Sequence, residues 1–326
     1  MRCWRIIDKF DKAMRGDMVS ETRAYGDGWP EKWGGQAQVF DLPGLRMYAA
    51  VAGPADGPLV ILLHGFPEDA YSYRHQLGPL AEAGFRVVAP DQRGYGLTDK
   101  RGPYDTATLT RDIVHLIAAC GRQQAHLVGH DWGALVAWDF AERYPERLLS
   151  LSILNVPRWQ VAERALKLGN PRQMLRSWYI GFFQLPWLPE ALLSRGNFAP
   201  LRRTVQATAR RGTFTPADLH HLTRAWRQPG ALPAMLGWYR SAFRRGLRRG
   251  RPTTPRLTVP TLILWGERDV ALGVELAEQS VATLANGRLV RFPDATHWVH
   301  EDCPADVTTL LLDHFQSAID EIGGAA

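Results

Sequence analysis

The chain contains little cysteine and no long apolar run, and both absences narrow its class. Its three cysteines, among 326 residues, are widely spaced and odd in number, which argues against a disulfide framework and a cysteine-based metal site. No run of about 18 apolar residues occurs, so we expect no transmembrane helix. The N-terminus alternates charged and apolar residues instead of presenting the apolar segment of a signal peptide. We therefore expect a protein of the reducing cytoplasm.

The positive charge is concentrated in one part of the chain. Residues 157–259 contain 18 Arg and one Lys but only three acidic residues, a net charge of +16, so the remainder, with 20 basic and 30 acidic residues, carries −10. This composition is consistent with weak attraction to an anionic membrane surface, but a solvated arginine-rich face is the favoured interpretation. No recognisable nucleic-acid-binding module accompanies the arginines, so we expect no nucleic-acid partner.

Short apolar runs alternate with amphipathic stretches in two blocks of the chain, a pattern typical of a parallel sheet covered by helices. We predict strands at residues 38–42, 45–52, 59–63, 86–89, 125–128, 149–154, 261–265 and 288–292. We predict helices at residues 71–83, 106–120, 132–143, 273–284 and 304–322. The first two strands have the pattern of a hairpin. The sequence thus predicts an α/β fold with a mostly parallel eight-stranded sheet and helices on both faces.

The two blocks, residues 36–156 and 257–326, are interpreted as one core domain with an insertion. The inserted residues 157–256 contain no convincing strand and several Pro and Gly breaks, which predicts a helical cap, or lid, over the strand ends. Residues 1–35 form an N-terminal extension, within which residues 3–14 are a candidate amphipathic helix that contacts a membrane.

The segment Gly129-His-Asp-Trp-Gly133 stands between a predicted strand and a predicted helix. It has the form G-x-Nuc-x-G, in which small residues let a strand reverse into a helix and expose the central side chain. Here the central side chain is the carboxylate of Asp131. Alone the motif is weak, because an Asp near a helix N-terminus is often only a cap.

Three other segments support a catalytic interpretation, because each follows a predicted strand. The first contains Phe66, whose backbone N–H, together with that of Trp132, could form an oxyanion hole. The second supplies an acid, Asp269, and the third supplies a histidine, His297. The order Asp131, Asp269, His297 is the order of nucleophile, acid and histidine in α/β-hydrolases.

These motifs resemble those of the epoxide hydrolase family of α/β-hydrolases, from about residue 36 to the C-terminus. The resemblance rests on six segments: HGFPE at 64–68, DQRGYG at 91–96, GHDWG at 129–133, YPER at 144–147, WYR at 238–240 and HW at 297–298. It implies that two cap tyrosines donate hydrogen bonds to the epoxide oxygen. Tyr239, in the WYR segment, matches one of them closely, and the surroundings of Tyr179 resemble the segment that holds the other. The remaining candidates for the substrate pocket are His64, Pro67, Phe183, Trp238 and Trp298.

A carboxylate nucleophile suits attack on an electrophilic carbon, since an unperturbed Asp with a pKa of about 3.9 is ionised at neutral pH without a base. Asp131 would form an alkyl ester, and His297, oriented by Asp269, would activate the water that hydrolyses it. The alkoxide released by an epoxide needs a proton donor, and two phenols meet that need. The expected partners are therefore a small hydrophobic epoxide and water, with no cofactor and no metal; a homodimer is left open.

Two alternatives remain open at this point. A haloalkane dehalogenase would use the same Asp nucleophile, although Phe66 stands where many of those enzymes place an Asn that binds halide. A fluoroacetate dehalogenase would carry arginines just after its nucleophile, where this chain has Trp-Gly-Ala-Leu. The second alternative is a non-catalytic binding protein on a hydrolase scaffold, because fold alone does not fix function.

Overall fold

The computed structural model describes residues 28–167, 178–246 and 256–324. The candidate helix at residues 3–14 lies outside these ranges. Within them the strands form one eight-stranded sheet in the order β1-β2-β4-β3-β5-β6-β7-β8. The strands are β1 Gly35–Leu42, β2 Leu45–Ala52, β3 Leu59–Leu63, β4 Arg86–Pro90, β5 Ala125–His130, β6 Leu148–Leu154, β7 Thr261–Gly266 and β8 Gly287–Phe292.

The sheet is parallel except at one edge. Strands β1 and β2 form an antiparallel hairpin, and β2 also runs antiparallel to β4. All other neighbouring strands are parallel. The prediction of a mostly parallel eight-stranded sheet is therefore confirmed. Because the carboxyl ends of β3 and β5 to β8 meet at one edge, the loops that follow these strands come together there.

Helices cover both faces of the sheet and also fill the segment between β6 and β7. Their bounds are α1 Trp29–Lys32, α2 Arg74–Glu82, α3 Thr106–Ala119, α4 Trp132–Arg143, α5 Trp159–Lys167, α6 Trp178–Phe182, α7 Leu188–Leu193, α8 Arg195–Thr208, α9 Pro216–Trp226, α10 Ala231–Gly246, α11 Glu275–Val281, α12 Val299–Asp302 and α13 Pro304–Gly324. None of those in the described ranges is long and apolar enough to cross a membrane.

The core has two layers because alternate residues of each buried strand point to opposite faces. In β3, Ile61 packs in the layer formed with α3 and α4, whereas Leu62 packs in the layer formed with α2 and α13. Every residue of β3, β5 and β7 is buried. Apolar runs without polar alternation are expected of strands that are covered on both faces.

Helices α5 to α10 lie between β6 and β7, in the segment interpreted as a cap, and α9 makes polar contacts with the core. Asp218 of α9 accepts a hydrogen bond from the Tyr71 hydroxyl at 2.7 Å and lies 3.3 Å from the Arg74 guanidinium. One turn later, His221 contacts Asp69 at 3.2 Å. The indole N–H of Trp226 donates to a backbone carbonyl of the loop after β3. These buried polar contacts give the cap a defined position over the carboxyl ends of the strands.

Candidate active site

Asp131 occupies a sharp turn between β5 and α4. Its φ of 49° and ψ of −118° lie in a region that non-glycine residues rarely adopt, at a cost of about 1 to 3 kcal/mol. The turn requires small neighbours. A Cβ at Gly133 would lie 2.1 Å from the carbonyl oxygen of Leu63, and one at Gly129 would lie 2.5 Å from the carbonyl oxygen of Gly133. The packing therefore explains both glycines of the motif and holds Asp131 toward the cap.

The two carboxylate oxygens of Asp131 have different partners. Oδ1 accepts a hydrogen bond from the backbone N–H of Phe66 at 2.8 Å, and Oδ2 lies 3.4 Å from Nε2 of His297. Burial alone would raise the pKa of Asp131, but the imidazole of His297 and the Phe66 N–H together lower it below its ordinary value. Asp131 is thus held as an anion, with Oδ2 free of backbone donors.

The close contact between the Phe66 amide and Asp131 requires glycine at residue 65, because a Cβ there would lie 2.4 Å from the Cβ of Asp131. The absence of a side chain at residue 65 lets the Phe66 amide reach the carboxylate. Trp132 begins α4, and the first four N–H groups of a helix have no partner inside it. Its amide is therefore the second candidate donor of an oxyanion hole.

His297 lies between two carboxylates. Its Nδ1 is 2.7 Å from Oδ2 of Asp269, and its Nε2 faces Asp131. Burial favours the neutral ring, but the charge of Asp269 and the hydrogen bond to Asp131 raise the pKa of His297 well above its ordinary value. The structure thus brings the predicted nucleophile, acid and histidine together in the arrangement that water activation requires.

Asn155 is a further member of the site that no motif in the sequence indicates. It follows β6 with a φ of 52°, and its Nδ2 donates to Oδ2 of Asp269 at 2.9 Å while its Oδ1 accepts from the N–H of Gly266 at 3.0 Å. The other oxygen of Asp269 accepts from the N–H groups of Ala271 and Leu272. With Nδ1 of His297, Asp269 has four donors, which fixes the carboxylate that orients the histidine.

A buried group of Glu68, His130 and His300 lies below the turn. One carboxylate oxygen of Glu68 and one ring nitrogen of each histidine lie within 4.8 Å of one another. Among the described residues, no other group of His, Cys, Asp and Glu side chains is close enough together to hold a metal ion. However, both ring nitrogens of His130 already have partners, with Nδ1 at 3.0 Å from Glu68 and Nε2 at 2.8 Å from the carbonyl oxygen of His297. Burial alone would raise the pKa of Glu68, but the hydrogen bond with His130 at 3.0 Å and the nearby ring of His300, 3.7 Å away, lower it. Of this group, His130 is the residue that contacts the backbone of His297.

Two cap tyrosines lie in an aromatic cluster above the turn. The ring centroid of Tyr239 lies 6.0 Å from that of Tyr179, 4.8 Å from that of Trp132 and 5.2 Å from that of Phe66. Phe183, from the loop after α6, completes the cluster at 4.9 Å from Tyr239. The cap therefore covers the candidate nucleophile with aromatic side chains, a lining suited to an apolar molecule.

Burial raises the pKa values of Tyr179 and Tyr239 above the ordinary value, and the negative charge of Asp131 raises both further. Both phenols therefore keep their protons at neutral pH. Loss of the negative charge of Asp131 should therefore lower the pKa values of both tyrosines.

Two residues predicted to line the pocket lie elsewhere. Neither His64 nor Trp238 has accessible surface, so neither can touch a substrate in this conformation. The Nε2 of His64 accepts from the N–H of Gln92 at 3.0 Å, and the indole N–H of Trp238 donates to the carbonyl of Arg93 at 3.0 Å. Their role is to hold the loop after β4, which corrects the prediction made from the sequence.

Two further predicted pocket residues join the cap to the core. The carbonyl of Pro67 accepts the hydrogen bond from Trp226 of α9 at 2.5 Å. The ring of Trp298 lies 5.4 Å from that of His297, and its indole N–H donates to Thr208 of α8 at 3.1 Å. Both residues lie beside the site and connect it to cap helices.

The fold and the site define the class of this protein. Residues 58–304 match the protein family described as alpha/beta hydrolase fold. The sequence is 40% identical over 287 residues to the AB hydrolase superfamily protein YfhM of Bacillus subtilis, a match covering 87% of this chain and 99% of that protein. The chain is therefore an α/β-hydrolase, as the predicted sheet and triad order indicated.

Other relatives narrow the class. The chain is 39% identical over 278 residues to human epoxide hydrolase 4, with 82% of this chain and 75% of that protein covered. The crystal structure of Bacillus megaterium epoxide hydrolase in complex with an inhibitor superimposes with a TM-score of 0.79 at 29% identity, over 86% of this chain and 100% of that one. This chain belongs to the epoxide hydrolase family of the α/β-hydrolases.

Proposed function

We propose that this protein hydrolyses epoxides to vicinal diols through an ester between substrate and Asp131. The observation that carries the proposal is a carboxylate in the nucleophile position, between a His297–Asp269 pair and two protonated phenols, of which Tyr239 is buried and Tyr179 partly buried. Family membership supports the overall reaction. The stepwise mechanism is inferred from the geometry of the site.

In the first step, Oδ2 of Asp131 attacks an epoxide carbon, a C–O bond to the carboxylate forms, and the C–O bond of the ring breaks. Oδ2 is the suitable atom because Oδ1 is held by the Phe66 N–H. The ring oxygen leaves as an alkoxide and takes a proton from Tyr239 or Tyr179. Raised phenol pKa values keep this proton in place until the stronger base appears.

In the second step, Nε2 of His297 removes a proton from water, and the hydroxide attacks the carbonyl carbon of the ester. The carbonyl oxygen is Oδ1, which already lies 2.8 Å from the Phe66 N–H. The negative charge of the tetrahedral intermediate thus develops on an atom with a donor in place, and the Trp132 N–H is the proposed second donor. Collapse of the intermediate breaks the bond between the carboxyl carbon and Oδ2, and the departing alkoxide takes the proton of the newly added hydroxyl. The diol is released, the carboxylate is restored, and the proton held by His297 returns to the tyrosinate.

The proposed substrate is a small hydrophobic epoxide, since Phe66, Phe183 and Trp132 surround the two phenols. A haloalkane dehalogenase would not need the phenols, because a halide ion is a weak base and leaves without a proton. The phenols above the nucleophile therefore favour an epoxide over a haloalkane.

The test compares styrene oxide with a haloalkane of similar size. We expect diol formation without halide release, and removal of one phenol in Tyr239→Phe should lower kcat/KM for the epoxide by about 10²-fold. Tyr144→Phe, which removes a phenol that packs against Phe140 outside the cap, is the matched control. Halide release with no diol would establish the dehalogenase alternative. An inactive protein with both substrates would contradict the proposal.

A further inference from the structure

In the described part of the chain, most of the large apolar side chains that are exposed belong to the cap. Among the described residues, six large apolar side chains are exposed, and five of them belong to the cap: Trp178, Leu185, Trp187, Leu188 and Phe243. The sixth, Val270, belongs to the core. We call the five cap residues the apolar cap surface. Grouped exposed apolar residues are uncommon on a soluble protein unless something binds there.

Arg240 brings four of these residues, all except Trp178, to one side of the cap. Its guanidinium donates to the carbonyl of Leu185 at 2.8 Å and pairs with Glu190 of α7 at 2.6 Å. Phe243 follows Arg240 by three residues on α10, so it lies on the same face of that helix. The segment containing Trp187 and Leu188, between Leu185 and Glu190, is thereby held beside Phe243.

Trp187 is held outward by its backbone. It precedes α7 with a φ of 50°, a left-handed conformation that residues other than glycine seldom adopt, and 74% of its surface is exposed. A strained backbone at an indole that packs on little of its own protein has no evident benefit for folding. It is consistent with a residue that is buried by a partner.

The charge around the apolar cap surface is positive. Arg195, just after α7, and Arg244, next to Phe243, are both exposed. The acidic residue of this region, Glu190, is paired with Arg240. Glu190 therefore does not offset the charges of Arg195 and Arg244.

We propose that the apolar cap surface docks on an anionic lipid membrane, with the indole and phenyl rings at the level of the headgroups and the arginines on lipid phosphates. Trp is enriched at membrane interfaces, and arginines near an anionic leaflet strengthen attachment. A second copy of the chain is a poorer partner, because two such surfaces would bring like charges together. Nucleic acid would leave Leu185 and Leu188 without an apolar partner.

The surface adjoins the candidate active site. Phe183, whose carbonyl also accepts a hydrogen bond from Arg240, packs against Tyr239, and Trp178 directly precedes Tyr179. Docking would therefore bring the cap tyrosines close to the lipid, where apolar molecules accumulate. The docking itself does not depend on the proposed reaction.

The test is flotation of the full chain with phosphatidylcholine vesicles that contain or lack phosphatidylserine. We expect binding that requires phosphatidylserine and weakens with added salt. The variant Arg195→Gln/Arg244→Gln should bind about 25-fold more weakly, at about fivefold for each arginine. Trp187→Ser/Phe243→Ser should also weaken binding, with a loss that persists at high salt because burial of apolar surface is not screened.

The matched controls change the same residue types on the core. Arg101→Gln/Arg288→Gln removes two exposed charges, and Val270→Ser removes one exposed apolar side chain. Both should bind vesicles like the unchanged protein, and all variants should keep the same unfolding temperature.

Three results would overturn the proposal. Undiminished binding of both cap variants would locate membrane contact elsewhere, for example in residues 3–14. Loss of self-association in the cap variants, without any vesicle binding by the unchanged protein, would make a second copy the partner. Retention on DNA or RNA instead of vesicles would assign a nucleic acid.

Discussion

Replacing His297 by Gln should separate the two halves of the reaction. The attack by Asp131 needs no base, and the hydrogen bond from the Phe66 N–H to Oδ1 at 2.8 Å does not involve His297. Ester formation should therefore continue near neutral pH. Hydrolysis of the ester loses its general base, so its rate should fall by about 10²- to 10⁴-fold. This corresponds to an increase of about 3 to 5 kcal/mol in the activation free energy. The ester should accumulate.

The protonation of Asp131 limits the pH range in which this experiment can be performed. Burial raises the pKa of Asp131, and the hydrogen bond and charge of His297 lower it. Without His297 the pKa of Asp131 rises, so ester formation in the variant should slow as the pH falls toward that pKa. The experiment is best performed at neutral pH or above.

The assay is rapid mixing of the His297→Gln variant with styrene oxide, followed by mass spectrometry of the intact protein and of its peptides. The expected result is a mass increase of one substrate molecule, located on Asp131, with almost no diol. The double variant Asp131→Asn/His297→Gln should show no increase. Diol release at the unchanged rate, or an adduct on another residue, would refute the proposal that Asp131 forms the ester and His297 activates the water that hydrolyses it.

Three further predictions concern Asn155, Gly133 and the protonation of His297. Asn155→Ala removes a donor to Asp269 and should lower kcat by about 10- to 100-fold, the value of a hydrogen bond to a charged group, with a shifted pH profile as the readout. Gly133→Ala places a Cβ 2.1 Å from a backbone carbonyl and should lower the free energy of unfolding by about 1 to 3 kcal/mol in a denaturant titration. The acid limb of kcat should lie below the pKa of His297 in the free protein, measured by NMR, because esterification removes the charge of Asp131 that raises it; equal values would contradict this. Only neutral His297 is a base, so kcat should fall as the pH drops through that limb.

The positions of the candidate triad could be predicted because parallel strands place their carboxyl ends at one edge. Asp131, Asp269 and His297 each follow a predicted strand, and the structure places the His297 ring 3.4 Å from Asp131 and 2.7 Å from Asp269. Asn155 also follows a strand, but nothing in its local sequence distinguishes it from an ordinary turn residue. Its role depends on the adjacency of β6 and β7, which only the sheet order reveals.

The error at Trp238 has a geometric cause. Successive residues of an α-helix point about 100° apart, so a residue next to Tyr239 cannot be assumed to share its direction. Tyr239 joins the aromatic cluster, whereas Trp238 turns toward the loop after β4. The error at His64 has a different cause. The motif at residues 64–68 contains one residue of the site, Phe66, but its His64 supports the loop after β4 instead.

The most direct test of the central claim, that Asp131 is the nucleophile, is a single turnover of the unchanged protein with styrene oxide in oxygen-18 water. The oxygen of the new hydroxyl comes from the carboxylate in the proposed mechanism. The first diol should therefore carry oxygen-16, and mass spectrometry of the Asp131 peptide should then show oxygen-18. A first diol labelled with oxygen-18, beside an unlabelled Asp131, would mean that water attacks the epoxide directly and would contradict the mechanism.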